Sequence, residues 1–145
     1  MLRHTQQQAK MLYRKIRPII GKKAIIIALE GSLGAGKTTF TKAFAQAMGI
    51  TEIVLSPTFT LNAQYSMLNT QSKLEHIDCW RMDRPEELLQ LGLAKMVEQK
   101  SVIVIEWADK ATEVIKKLSY KDTKLIWIKF EYGEKKNERI IRWEI

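Results

Sequence analysis

The fold of this chain is decided by nine residues, GSLGAGKTT, at positions 31–39. They fit the pattern in which one glycine, four variable residues and a second glycine precede a lysine and a hydroxyl-bearing residue. The apolar run AIIIAL lies at 24–29 just before them, and phenylalanines stand at 40 and 44 after them. This order predicts a buried strand, a glycine-rich loop and an amphipathic helix from Lys37 to about Met48.

The glycine-rich loop has the chemistry of a phosphate-binding loop. Glycine lets backbone amides approach phosphate oxygens, and amides at a helix N-terminus form an anion-binding concavity. Lys37 is predicted to reach the β- and γ-phosphates of a nucleoside triphosphate. The Thr38 hydroxyl is placed to bind Mg²⁺, and Thr39 to contact the α-phosphate. The motif therefore predicts a nucleotide-binding protein.

A phosphate-binding loop needs a carboxylate opposite it to complete the magnesium shell, usually at the end of a neighbouring buried strand. The run VIVIE at 102–106 has this form, with Glu106 in place of the commoner aspartate. Asp78 ends the run LEHID at 74–78 and is a second candidate. Trp107 suits core packing and shielding of the γ-phosphate equally well. His76 is interpreted as a packed strand residue.

Strand and helix patterns alternate along the rest of the chain. Helices are predicted from the capping-box pair Thr5 and Gln8 to Pro18, from 37 to 48, from 83 with a break at Gly92, and from a capping Asp109 to 118. Strands are predicted at 24–29, 53–55, 73–77, 102–105, 124–131 and 138–145, with a loop at 56–60. The alternation predicts an α/β fold of the P-loop NTPase type, with three α/β/α layers. Its sheet is expected to be mostly parallel, with an antiparallel edge pair at the C-terminus.

Size and composition set limits on the kind of protein. The 145 residues are expected to form a single P-loop ATPase domain over 1–145. Cys79 is the only cysteine and no Cys/His cluster has zinc spacing, which favours a reducing, cytoplasmic compartment. The apolar runs are too short to span a membrane. The formal charge of +8 favours acidic partners such as nucleotides or RNA.

Several motifs in the right order resemble the TsaE (YjeE) family, the bacterial ATPase of tRNA threonylcarbamoyladenosine synthesis. Besides the phosphate-binding loop they are SPTFTL at 56–61, HIDCWR at 76–81, PEEL at 85–88 with LG at 91–92, and IEW at 105–107. The loop alone is generic, whereas its combination with SPTFTL and with Glu106-Trp107 is specific. The resemblance runs from about Thr5 to the final strand pair.

The resemblance implies a function and a set of site residues. It implies binding of ATP and Mg²⁺, weak ATPase activity alone, and action on a complex of TsaB and TsaD, which hydrolysis resets between turnovers. In this family TsaD transfers the threonylcarbamoyl group to tRNA, so contact with tRNA is expected only through the complex. The free protein is expected to be a monomer. Thr38 and Glu106 are the implied metal ligands. The catalytic candidates are Asp78, Glu106 and Lys37. The candidate nucleotide-binding residues are Gly34, Ala35, Gly36, Lys37, Thr38, Thr39, Ser56, Thr58, Thr60, Trp107 and Thr5.

Two departures and two alternatives qualify this prediction. The family usually has aspartate at the position of Ser32, and His-Phe-Asp-Leu-Tyr-Arg where this chain has HIDCWR at 76–81. The first removes a negative charge beside the phosphates, and the second keeps Asp78 and Arg81. A P-loop kinase of a small metabolite is the first alternative, although arginines for a lid are few. A nucleotide-gated interaction module without hydrolysis is the second.

Overall fold

The computed structural model describes residues 2–68, 70–119 and 122–144. Helices and strands alternate within these ranges. The helices are α1 (Leu2–Ile16), α2 (Lys37–Ala47), α3 (Glu87–Gln90), α4 (Leu93–Glu98) and α5 (Thr112–Leu118). The strands are β1 (Ala24–Gly31), β2 (Asn62–Ser66), β3 (Lys73–Asp78), β4 (Val102–Glu106), β5 (Thr123–Tyr132) and β6 (Arg139–Arg142). Short 3₁₀ segments follow α1 at Arg17–Ile19 and precede α5 at Ala108–Ala111.

The strands form one sheet in the order β2-β3-β4-β1-β5-β6. The inner strands β3, β4, β1 and β5 are parallel to one another, whereas the edge strands β2 and β6 pair antiparallel with β3 and β5. This confirms the predicted parallel sheet with an antiparallel pair at the C-terminus. Because β1 lies between β4 and β5, the loop that follows it emerges at the middle of the carboxyl edge. That edge is where ligands bind in open α/β sheets.

Helices cover both faces of the sheet, which confirms the predicted three layers. Side chains of β1 alternate between two cores, with Ile25 and Ile27 facing one and Ile26 the other. The first core is closed by α1 and α2, and the second by α3, α4 and α5. Burial on both faces explains why β1 is apolar at every position from 24 to 29. None of the described helices has the length and apolar character that crossing a membrane requires.

Close backbone packing fixes the glycine-rich loop against the C-terminal strand pair. A Cβ atom at Gly31 would lie 2.8 Å from the carbonyl oxygen of Phe130, so only glycine fits there. The hydroxyl of Tyr132 donates to the carbonyl oxygen of Leu33 at 2.5 Å. The guanidinium of Arg139 donates to the carbonyl oxygen of Gly34 at 3.3 Å. β5 and β6 therefore buttress the loop from outside.

One predicted strand is wrong, and one strand of the sheet was not predicted. Residues 53–55 are not a strand: only Val54 is buried, and Ile53 is 82% exposed. The outer edge of β3 pairs with β2, a strand that the sequence pattern did not predict. The remaining predicted strands are present, and Ile145, the predicted end of the last one, lies outside the described residues.

Three predictions about helix starts also need correction. Thr5 does not cap α1, because the helix already begins at Leu2 and Thr5 is buried on its inner face. Asp109 lies inside a 3₁₀ segment, and the N-cap position of α5 belongs to Ala111. The helix expected from residue 83 begins only at Glu87. The predicted break at Gly92 is confirmed, with φ of 92° between α3 and α4.

Candidate functional site

A cavity of about 270 Å³ opens at the carboxyl edge of the sheet, beside the glycine-rich loop. Most of the residues that the sequence analysis selected meet there. The lining residues are Leu33, Gly34, Gly36, Lys37, Thr38, Thr39, Ser56, Thr58, Asp78, Trp80, Glu106 and Trp107. The cavity thus unites the glycine-rich loop, the 56–60 loop and the ends of two parallel strands.

Lys37 is turned back onto the loop that carries it. Its Nζ donates to the carbonyl oxygens of Gly31 and of Ser32, the latter at 3.0 Å. Nζ also lies 3.9 Å from the ring centroid of Trp107, within range of a cation–π contact. Burial lowers the pKa of Lys37, and the nearby carboxylates, Glu106 first among them, act in the opposite direction. The loop thus holds a buried cation at the place where phosphate charge would be neutralised.

The glycine-rich loop adopts backbone angles that suit anion binding. Gly34 and Gly36 have φ of 76° and 110°, in the left-handed region that favours glycine. Gly36 directly precedes the first residue of α2. Backbone amides at a helix N-terminus that follows such a turn converge on an anion. The loop therefore fits a polyphosphate chain.

Thr38 and Glu106 form a directly bonded pair across the cavity floor. The Thr38 hydroxyl donates to Oε1 of Glu106 at 2.8 Å. Glu106 ends β4 and is paired in register with Leu29 of β1, just before the loop. A hydroxyl and a carboxylate are hard oxygen ligands of the kind that Mg²⁺ takes in P-loop proteins. These two side chains therefore fit the predicted metal site.

Asp78 lies beside Glu106, because the ends of β3 and β4 are paired in register. Its Oδ2 accepts a hydrogen bond from the Thr58 hydroxyl at 3.0 Å, and Thr58 in turn lies 2.8 Å from the hydroxyl of Ser56. Its Oδ1 accepts from the backbone N–H of Trp80 at 2.8 Å. Asp78 therefore ties the 56–60 loop to the sheet and faces the cavity with a carboxylate.

Trp107 takes up a left-handed backbone conformation, with φ of 57°, immediately after β4. Its ring contacts Lys37 and also packs against Trp80, with ring centroids 4.5 Å apart. Trp80 is 45% exposed and is held by Lys110, which donates to its carbonyl oxygen at 2.5 Å. The two tryptophans form one wall of the cavity. Sequence reasoning missed Trp80, although its place two residues after Asp78 was a usable signal.

Three candidate residues do not line the cavity. Ala35 is buried in the core between the two glycines, so only its backbone belongs to the loop. Thr60 is exposed and lies outside the lining. Thr5 is buried on α1, and its Oγ1 lies 4.0 Å from where a Cβ on Gly36 would be. Thr5 thus packs behind the loop rather than facing the cavity.

His76 was interpreted as a packed strand residue, and it is fully buried in β3. It also makes a contact that the sequence did not suggest. Its Nε2 is hydrogen-bonded to Oε2 of Glu106. The sequence indicates only that side chains at 76 and 78 share one face of a strand, which does not identify Glu106 as the partner of His76.

Comparisons with known proteins place the chain among similar sequences of one family. The model of the family described as threonylcarbamoyl adenosine biosynthesis protein TsaE matches residues 2–141. The tRNA threonylcarbamoyladenosine biosynthesis protein TsaE of Bacillus subtilis is 44% identical over 94 residues, which cover 65% of this chain and 57% of that relative. The protein of the same name from Haemophilus influenzae is 35% identical over 115 residues, covering 79% of this chain and 69% of that relative.

A solved structure gives the same picture for the fold. The crystal structure of Bacillus subtilis YdiB matches with a TM-score of 0.64 and 32% sequence identity, covering 99% of this chain and 79% of that one. The sequence match to the Bacillus subtilis relative, by contrast, spans little more than half of that protein's own length.

Proposed function

Because the chain belongs to the TsaE family, we propose that it binds ATP and hydrolyses it slowly in the threonylcarbamoyladenosine modification of tRNA. The observation that carries this proposal is the hydrogen bond from Thr38 to Glu106 beneath the glycine-rich loop. It joins the two side chains that a Mg²⁺-dependent phosphate site requires. Membership of the family indicates that such a site would be used in threonylcarbamoyladenosine biosynthesis.

The cavity residues divide into binding and reacting groups. The amides of 34–39 and the Lys37 ammonium would hold the β- and γ-phosphates, and Thr38 with Glu106 would hold Mg²⁺. When bound, Mg²⁺ supplies positive charge that neutralises the phosphate oxygens. Asp78 faces the same cavity and would orient the attacking water. Thr58, bonded to Asp78, and Ser56, bonded to Thr58, would sense the γ-phosphate.

The proposed partners are TsaB and TsaD, in the cytoplasm, with tRNA reached only through that complex. The cavity is about 270 Å³, and a pocket for a second substrate would have to share it with the triphosphate. Hydrolysis is therefore proposed to act as a conformational signal to the partner complex rather than as a route to a phosphorylated product. The exposed Trp80 and the adjoining Trp107 lie at the mouth, where a partner could read the nucleotide state.

A metabolite kinase would use arginines as a lid over the phosphates. Arg81 instead stacks on the ring of Phe59, with 4.4 Å from its guanidinium carbon to the centroid. Arg139 is hydrogen-bonded to backbone carbonyl oxygens of Lys136, Glu138 and Gly34. Neither contact supports a mobile lid.

The deciding experiment is to incubate the chain with ATP and Mg²⁺, alone and with TsaB–TsaD, and to follow phosphate. Slow release to water that the partners accelerate is the expected result, with Glu106→Ala removing it. Transfer of phosphate to a metabolite would favour the kinase. Nucleotide binding without turnover, with or without partners, would favour a gated interaction module.

A further inference from the structure

Glu106 is a buried carboxylate whose two oxygens have different partners. Its side chain is 2% exposed, with Oε1 accepting from Thr38 at 2.8 Å and Oε2 hydrogen-bonded to His76. A buried charge is costly unless it is paired and hydrogen-bonded. Among the described residues, His76 is the one basic side chain within ion-pair distance of Glu106. His76 therefore determines how this carboxylate is accommodated.

The environment of the imidazole selects its tautomer. Nδ1 of His76 is buried and has no hydrogen-bond partner within the described ranges. If the proton were on Nδ1, a buried donor would go unsatisfied and the Nε2 lone pair would face a carboxylate oxygen. With the proton on Nε2, the ring donates to Oε2 of Glu106. The group without a partner is then Nδ1, which is only a weak acceptor. The geometry thus requires a donor at Nε2.

An ordinary core residue would fit the same position on β3. Leu74, two residues earlier on the same face of the strand, is a fully buried apolar side chain of the core that α1 and α2 close. An apolar residue at 76 would complete that core but would leave Oε2 of Glu106 without its donor. The carboxylate would then be free to rotate and to turn Oε1 away from Thr38. The polar residue at 76 is therefore explained by its contact with Glu106 rather than by packing.

We propose that His76 is a positioning residue: by holding Oε2 of Glu106 it directs Oε1 toward Thr38 at the magnesium site. The inference rests on the proposed function. His76 itself does not reach the cavity, since it is fully buried and absent from its lining. It acts only through Glu106, much as hydrogen-bonded partners orient metal-binding side chains elsewhere.

The test compares His76→Leu, which loses the donor, with His76→Gln, whose amide N–H reaches about as far as Nε2. ATP affinity is measured by calorimetry with Mg²⁺ and with excess EDTA. The factor by which Mg²⁺ raises ATP affinity should be at least about tenfold smaller in His76→Leu than in the parental chain, as for other residues that orient metal ligands. Its affinity in EDTA should stay at the parental level because the phosphate loop is intact. His76→Gln should recover most of the gain.

Two outcomes separate this inference from the proposed function. A parental chain whose ATP affinity ignores Mg²⁺ would overturn both, and the fault would lie with the proposed function. If Mg²⁺ raises the ATP affinity of His76→Leu as much as it raises that of the parental chain, only the positioning role would be overturned.

A measurement on the unmodified chain covers the case in which a variant fails to fold. Imidazole ¹⁵N NMR should show the proton on Nε2 of His76, and the signal should shift when Mg²⁺ is added to the ATP complex. A proton on Nδ1, or an unchanged signal, would refute the proposal.

Discussion

The Lys37 side chain lies at the phosphate-binding position even without a ligand. Lys37 is 4% exposed, and its ammonium bonds to loop carbonyl oxygens while it lies against the Trp107 ring. Burial lowers the pKa of Lys37, and the carboxylates of Glu106, Asp109 and Asp78 oppose that effect. Phosphate oxygens would replace the carbonyl oxygens as acceptors without moving the cation far. The affinity for ATP should therefore depend strongly on this side chain.

We expect Lys37→Ala to abolish productive ATP binding. A hydrogen bond to a charged group contributes about 1.5–3 kcal/mol, so losing two of them weakens affinity by about two orders of magnitude or more. Calorimetric titration with ATP and Mg²⁺ measures this. Lys42→Ala is the matched control, since Lys42 is an exposed cation on the same helix. Undiminished affinity in Lys37→Ala would refute the assignment of the loop.

At the residue scale the sequence predicts much of the cavity but not how its side chains connect. The motif and the strand ends selected Lys37, Thr38, Asp78 and Glu106, and all four line the cavity. Their roles stay predictions. The bond between His76 and Glu106 depends on the register of β3 against β4, which no local pattern encodes.

The 56–60 loop is the element whose conformation should report the nucleotide. It is tied to the sheet by one side-chain bond, from Thr58 to Asp78, and Phe59 is 82% exposed. Loops of this kind are ordered by the γ-phosphate and released on its loss. We expect its amides to exchange more slowly with a non-hydrolysable ATP analogue than with ADP. Amides of β2 are the internal control, and equal protection in both states would make the loop purely structural.

The turn before α3 should show a pH-dependent contribution from Glu87. Its carboxylate accepts from the backbone N–H groups of Asp83 at 2.7 Å and Arg84 at 2.9 Å, which lowers its pKa from 4.5. A lowered carboxyl pKa stabilises the fold fully above pH 4.5 and loses that effect as the pH falls through the folded value.

The substitution Glu87→Ala should therefore lower the free energy of unfolding near neutral pH and have less effect in acid. Urea unfolding at about pH 7 and about pH 3 measures the difference. Glu86→Ala, a change at an exposed neighbouring acid, is the control. A deficit in Glu87→Ala that is equally large in acid would show that lost packing, and not the charge, is responsible.

At the element scale, errors in sequence reading arose where tertiary contacts outweigh local preference. β2 has the sequence NAQYS, with few β-formers, and exists because it pairs along β3 and buries Tyr65. Residues 53–55 have strong β-formers but pair with no strand in the described structure, where β2 lies beside β3 instead. β1 and β4 were predictable because a strand that is buried on both faces has apolar residues at nearly every position.

For the molecule as a whole, the two tryptophans at the mouth couple the site to its surroundings. Trp107 contacts the buried Lys37 on one side and the exposed Trp80 on the other. A partner that moves Trp80 would therefore displace a group that touches the phosphate-binding cation. This chain of contacts gives the proposed partner complex a direct physical route to the site.

We expect the isolated chain to turn over ATP well below the enzyme median of about ten per second. TsaB–TsaD should accelerate it, and Trp107→Ala should impair that acceleration more than it impairs ATP affinity. Trp107→Phe keeps an aromatic face and should retain more of the response. Phosphate release against increasing TsaB–TsaD, with nucleotide affinity measured for each variant, tests this. A fast rate that ignores the partners would contradict it.

The sheet order also has a consequence for how the protein is made. β1 and its loop leave the ribosome well before their sheet neighbours β4 and β5, and Thr38 is 68 residues from Glu106. A nascent chain halted before residue 102 would carry the whole glycine-rich motif without the strands that bury β1 or the carboxylate that completes the site. ATP could then bind productively only after β4 and β5 have been synthesised, so nucleotide capture would follow assembly of the inner strands rather than guide the early folding of β1.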